Sequence, residues 1–116
     1  MGEKIDFKDF QKVEMKVGKI KSVEDHPNAD KLLVMKVDLG EGEDRTIVAG
    51  LRKYYSSEEL VGKKAIFVAN LAPASLRGVE SNGMIMAAVS EDHGEVKVLK
   101  PSKDCEAGSL VEFKHG

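Results

Sequence analysis

The sequence has no tryptophan, one cysteine, two tyrosines and four phenylalanines. The lone Cys105 excludes an internal disulfide and any multi-cysteine metal site. It fits a reducing, intracellular setting. Flanked by Asp104 and Glu106, its thiolate is disfavoured, which makes it a poor nucleophile. So few rings force a core of Val, Ile, Leu, Met and Ala, and leave little with which to stack single-stranded bases. No apolar run approaches membrane-spanning length. The first ten residues, MGEKIDFKDF, lack the apolar stretch of a secretory signal, and Asp6 stands where a myristoylation signal needs Ser or Thr. Neither charge sign dominates. The formal net charge of -2 excludes coating of nucleic acid by bulk electrostatics, yet 18 Lys and Arg suffice for a local basic patch.

Catalytic motifs are missing as well. There is no H-x-x-x-H, no C-x-x-C and no glycine-rich phosphate loop, and GEGE at 40–43 is too acidic to cradle a phosphate. His93, in an expected turn, and His115, next to last, read as solvated surface. No catalytic residue, metal site or cofactor is expected, and the chain reads as a binding module.

What is present is a pattern of strands in one 116-residue domain. Val13, Met15 and Val17 share a face, then the phase changes at Gly18 before Ile20 and Val23, which predicts a long first strand with a bulge or bend. HPNAD at 26–30 is turn chemistry. Strands are predicted over 32–39 and 45–51, joined by the GEGED connection. Ser56 and Glu59 form an S-x-x-E capping box, and Gly62 suits the helix stop, so a helix of one to two turns follows. Further strands are predicted over 63–70 and 84–90, with an aperiodic segment from Leu71 to Asn82 between them. Two more candidates, 95–100 and 109–113, flank a loop from Pro101 to Gly108.

Three strands, a short helix and two strands, with the first long and bent, is the layout of an all-β OB-fold, a five-stranded Greek-key barrel. The two C-terminal strands lie outside it, and Phe7 and Phe10 have the i, i+3 spacing of a short N-terminal helix. Lys31, Arg52, Lys53, Lys63, Lys64 and Arg77 sit near expected loops. Arg77 stands out because it lies in the long aperiodic segment with Ser81 and Asn82, and long loops in small domains are usually functional.

HPNADKL (26–32), VGKKAIFVAN (61–70) and LRGVESNGM (76–84), in this order and spacing, make the chain resemble one family. It is the tRNA-binding domain found at the C-terminus of many methionyl-tRNA synthetases and as free-standing bacterial tRNA-binding proteins. Endothelial-monocyte-activating polypeptide II is a relative. The resemblance implies an OB-fold that binds the outer corner of tRNA by shape and phosphate contacts, without reading the anticodon. A cytoplasmic location and assistance to a methionyl-tRNA synthetase catalytic domain follow from it. It also implies a homodimer, with residues 1–11 and about 95–116 as interface extensions and Phe7, Phe10, Leu110, Val111 and Phe113 at the contact. Those five could equally close the bottom of the barrel.

Carried over by position, the tRNA-binding residues are Asn28, Lys31, Arg77, Ser81 and Met84, with Arg52 and Lys53 as possible additional basic contacts. Arg77 can fork onto a phosphate and Lys31 supplies a point charge. Ser81 can donate to a sugar or phosphate oxygen, and Met84 can offer a polarizable surface to a ribose or base. Met84 has a second reading, as the first core residue of the fifth strand. Two alternatives stand beside the tRNA module: a dimeric OB-fold chaperone that binds polypeptide, and a purely structural dimerisation domain of a synthetase.

Overall fold

The computed structural model describes residues 2–113, so His115 and the end of the expected C-terminal extension lie outside the described residues. β1 (Met15–Asp25), β2 (Leu33–Asp38) and β3 (Arg45–Ala49) form an antiparallel meander. The helix α2 (Ser57–Leu60) follows, and β4 (Lys64–Val68) returns to pair with β1. The pairing divides β1 in two. Its first part, Met15–Lys19, faces β4, and its second, Lys19–Asp25, faces β2. One strand thus serves both walls, as the bent first strand of an OB barrel must. The sheet order is β3-β2-β1-β4-β7, where β7 is Met84–Ile85. β3 approaches β7 through Asn82 N–H, which donates to Thr46 O at 2.8 Å, and the barrel nearly closes there.

The bend is built by two features. The register irregularity falls between Ile20 and Ser22 rather than at Gly18. Gly18 has a different task. A Cβ there would lie 2.6 Å from Val37 Cγ1 and 2.7 Å from Leu39 Cδ2 and Phe67 Cδ1. Its missing side chain lets the two walls meet over the core. That core is aliphatic around one ring: Ile20, Met35, Val37, Leu39, Ile47, Ala65 and Phe67 are fully buried.

The capping box forms as expected. Ser56 N–H donates to Glu59 Oε1 at 2.8 Å and Glu59 N–H to Ser56 Oγ at 3.3 Å. Each bond satisfies a donor that the helix leaves without a backbone partner. The helix stops at Gly62, whose φ is 83°.

Two expectations need correction. The aperiodic segment holds a hairpin, β5 (Ala74–Leu76) with β6 (Val79–Ser81), turning on Arg77 and Gly78. It escaped pattern reading because β5 is exposed throughout and shows no in–out alternation. The strand expected over 84–90 is two strands. β7 stays on β4, whereas β8 (Ala87–Val89) pairs with β9 (Val96–Val98). Met86 is the joint: its N–H donates to Ile66 O and its carbonyl accepts from Leu99 N–H.

β10 (Leu110–Val111) pairs with Met15 and Lys16 of β1. The single-turn helix α1 (Phe7–Phe10) reaches the same end, where Phe7 and Phe113 pack edge to face with centroids 4.7 Å apart. Tyr54 and Tyr55 are spent on structure. Their hydroxyls bond the His93 carbonyl and the Val98 N–H.

Candidate nucleic-acid interface

The two most distinctive sequence stretches meet at the far end of β1. His26 follows the strand directly and is buried, at 4% exposure. Its Nδ1 accepts from Asn28 N–H at 2.9 Å, so the ring proton sits on Nε2. Nε2 in turn donates to the Leu76 carbonyl at 2.8 Å. One imidazole therefore shapes its own turn and clamps the β5–β6 hairpin onto it. Asn28 and Arg77 complete the clasp in both directions, with Asn28 Nδ2 donating to Arg77 O at 3.4 Å and an Arg77 guanidinium nitrogen to Asn28 O at 3.3 Å.

The hairpin turn has two residues, since Leu76 pairs with Val79. Both central residues have positive φ, 54° at Arg77 and 93° at Gly78. Such turns prefer Asn-Gly because an ordinary side chain is strained there. Arg77 holds that conformation at an exposed tip.

Lys31 and Lys53 are exposed near the clasp. Arg52 N–H bonds Lys31 O at 3.4 Å, and the Arg52 side chain pairs with Asp25 at 3.1 Å. Among the described residues Lys31, Lys53 and Arg77 make no ion pair. Their charge is available, whereas that of Arg52 is partly offset.

Met84 is 54% exposed, while Ile85 beside it is buried. Alternation along β7 turns Met84 outward, so its reading as a core residue fails. Ser81 departs from expectation in the other direction. It is 4% exposed, and its hydroxyl accepts from Val48 N–H at 2.9 Å and donates to Gly83 O at 3.1 Å. The hydroxyl points inward and ties β6 to β3. Gly83 is packed likewise, since a Cβ there would lie 3.1 Å from Ile47 Cδ1 and 3.2 Å from Val68 O. Sequence reasoning missed His26. The sole signal was its place at the head of the turn motif, and its partner is 50 residues away.

The outer face of β2 and β3, where OB-folds commonly take single strands, is acidic here. A cleft of about 770 Å³ beside the hairpin is lined by Glu24, Glu41, Glu43, Asp44 and Glu80 against only Lys36 and Arg45. Arg45 is itself engaged: Nε donates to Glu41 at 2.8 Å, and Nη1 bonds the Ala69 carbonyl at 2.5 Å. The hydrogen bond from Arg45 holds the Glu41 carboxyl below its ordinary range. Acidic side chains thus outnumber basic ones along this face. Among the described residues no group of three or more His, Cys, Asp or Glu is placed to hold a metal ion.

Residues 15–110 match the model of the family described as "Putative tRNA binding domain". The chain belongs to this family. It is 55% identical over 109 residues to a methionine–tRNA ligase of Pyrococcus horikoshii, covering 94% of this chain and 15% of that protein. It thus spans only a small part of the ligase's length. Among solved structures it resembles a "MetRS related protein" of the same organism, at 41% identity and TM-score 0.88, covering 96% of this chain and all of that one. It also resembles the chaperone CsaA of Picrophilus torridus, at 30% identity and TM-score 0.84, covering 94% of this chain and all of that one.

Proposed function

We propose that this domain is a non-catalytic module that grips tRNA by shape and phosphate contacts at the corner of the L, in the cytoplasm, and assists a methionyl-tRNA synthetase. The observation that carries the reading is the clasp. His26 and Asn28 hold Arg77 beside the Lys31 loop, concentrating unpaired positive charge at one end of a net-acidic domain. The acidic face of β2 and β3 argues against threading of single strands and favours contact from the loop end. Arg77, Lys31 and Lys53 would meet phosphates, Asn28 a sugar or phosphate oxygen, and Met84 a ribose or base. Ser81 would act by holding the hairpin.

The domain would work as a homodimer. Phe7, Phe10, Val13, Leu110 and Phe113 are all exposed at the end opposite the clasp, around a cleft of about 510 Å³ lined in part by Val111. So much apolar surface in one patch is what self-association covers. Two copies would present two clasps and raise the effective concentration of the second.

Titration of total tRNA by filter binding at several salt concentrations tests the reading. Saturable binding is expected, with log K falling against log salt by a few units. Lys31→Ala and Arg77→Ala should each cost about 1–2 kcal/mol and reduce the slope by about one. Wild-type binding by both variants, folded, would rule out this surface. Capture of unfolded polypeptide with no affinity for tRNA would favour a chaperone role instead. A dimer by light scattering that binds neither would leave the structural role.

A further inference from the structure

A second basic surface lies away from the clasp. Lys19, Lys63, Lys64, Lys100 and Lys103 surround a cleft of about 440 Å³, with Asp104 as the only acidic lining residue. Three chain segments bring them together. Lys19 pairs with Lys64 across β1 and β4, Lys63 ends the turn after α2, and Lys100 and Lys103 come from the loop after β9. Lys64 is committed: its Nζ bonds Asp104 Oδ1 at 2.9 Å and the Cys105 carbonyl. That bond holds the Asp104 carboxyl below its ordinary range and the Lys64 ammonium above its own. It also fixes the Lys100–Asp104 loop against β4. Lys19, Lys63, Lys100 and Lys103 make no ion pair among the described residues. In a protein of net charge -2, four unpaired lysines around one cleft are a strong local departure.

We propose that this lysine cleft is a second contact surface for the phosphate backbone of RNA, engaged by the same molecule that the clasp holds. The proposal rests on the tRNA-binding reading and extends it to a surface away from HPNADKL and LRGVESNGM, to which the VGKKAIFVAN stretch contributes only Gly62, Lys63 and Lys64. The lining chemistry selects the ligand. Lysine is depleted in protein–protein interfaces, whose centres need aromatic or aliphatic anchors. Among the described residues Pro101 is the only apolar side chain here. Flexible ammonium groups with no aromatic ring and no fork suit a repeating anion read by charge and not by sequence. Placement fits one ligand. Lys19 and Asp25, the partner of Arg52, are six positions apart on β1, at most about 20 Å at the rise of a strand. That span is within the length of a folded RNA.

The test compares four proteins in tRNA titrations across salt: wild type, Lys63→Gln/Lys100→Gln/Lys103→Gln, the corresponding triple arginine variant, and Lys100→Glu. All three substituted positions are exposed, and thermal melting checks that the variants fold. The glutamine variant should lose about tenfold or more in affinity at 0.1 M salt, with a log–log slope smaller by about two to three. The arginine variant should behave as wild type. Lys100→Glu alone should weaken binding more than the loss of one charge. An unchanged slope in the glutamine variant, with wild-type tRNA binding intact, overturns the second surface and leaves the clasp standing. Absence of tRNA binding by the wild type overturns both. Retained tRNA affinity in the glutamine variant with lost affinity for an acidic polypeptide, polyglutamate, would reassign the cleft to a protein partner.

Discussion

His26 Nε2 lies 2.8 Å from the main-chain carbonyl of Leu76, and this contact holds two distant loops in one surface. The ring is buried, so losing it removes two hydrogen bonds and leaves a cavity beside Pro27 and the hairpin. His26→Ala is expected to destabilise the domain by about 2–3 kcal/mol, one from each hydrogen bond and the rest from lost packing. Urea unfolding measures this. The tRNA affinity of the folded fraction should fall as well, because Arg77 is no longer held. Unchanged stability would mean that the clasp contributes nothing.

Arg77 sets stability against binding. At φ 54° a glycine is relaxed where arginine is strained. Arg77→Gly should relieve about 1–2 kcal/mol of strain and lose about 0.5–1 kcal/mol to chain entropy. The expected outcome is a urea midpoint equal to or above that of the wild type, together with a tRNA affinity lower by about tenfold. A variant that loses both would show that the arginine is structural.

Ser81 separates support from contact. Ser81→Ala leaves the Val48 N–H buried without its acceptor, at a cost of about 1–3 kcal/mol. Calorimetry should show that loss. Under conditions where the variant is fully folded, the salt slope of tRNA binding should match the wild type, since no phosphate contact is removed. A smaller slope would place the hydroxyl on the RNA.

Glu41 predicts an acid limb. Its folded-state carboxyl is held below the ordinary value of 4.5, chiefly by the Arg45 hydrogen bond. A depressed acid contributes stability that is present above 4.5 and lost as pH falls through the folded value. Glu41→Gln should therefore be less stable than wild type at pH 7, with the difference shrinking as the pH drops below 4.5. Denaturant titrations of both proteins from pH 7 to pH 3 check it. A difference that stays constant with pH would exclude the ion pair as its cause.

The sequence by itself determined the parts whose cause is local. Alternation along 15–17 and 33–39 placed β1 and β2, and Ser56 with Glu59 started α2 through bonds only three residues long. Gly62 ended that helix through its own φ. The family's stretches were legible as letters, which pointed to Asn28, Lys31 and Arg77. Tertiary structure alone decided what these residues face. His26 can be buried because its ring N–H donates to a carbonyl 50 residues away, and Ser81 because its hydroxyl accepts from an N–H of β3 33 residues upstream. Met84 points outward because pairing with Val68 sets the phase of a two-residue strand too short to show a period. The lysine cleft joins three segments that share no motif. Burial and hydrogen bonding depend on partners that periodicity cannot see, so β1 to β4 were written in the sequence, while the β5–β6 hairpin, the split of β7 from β8 and the surfaces depended on how the strands close.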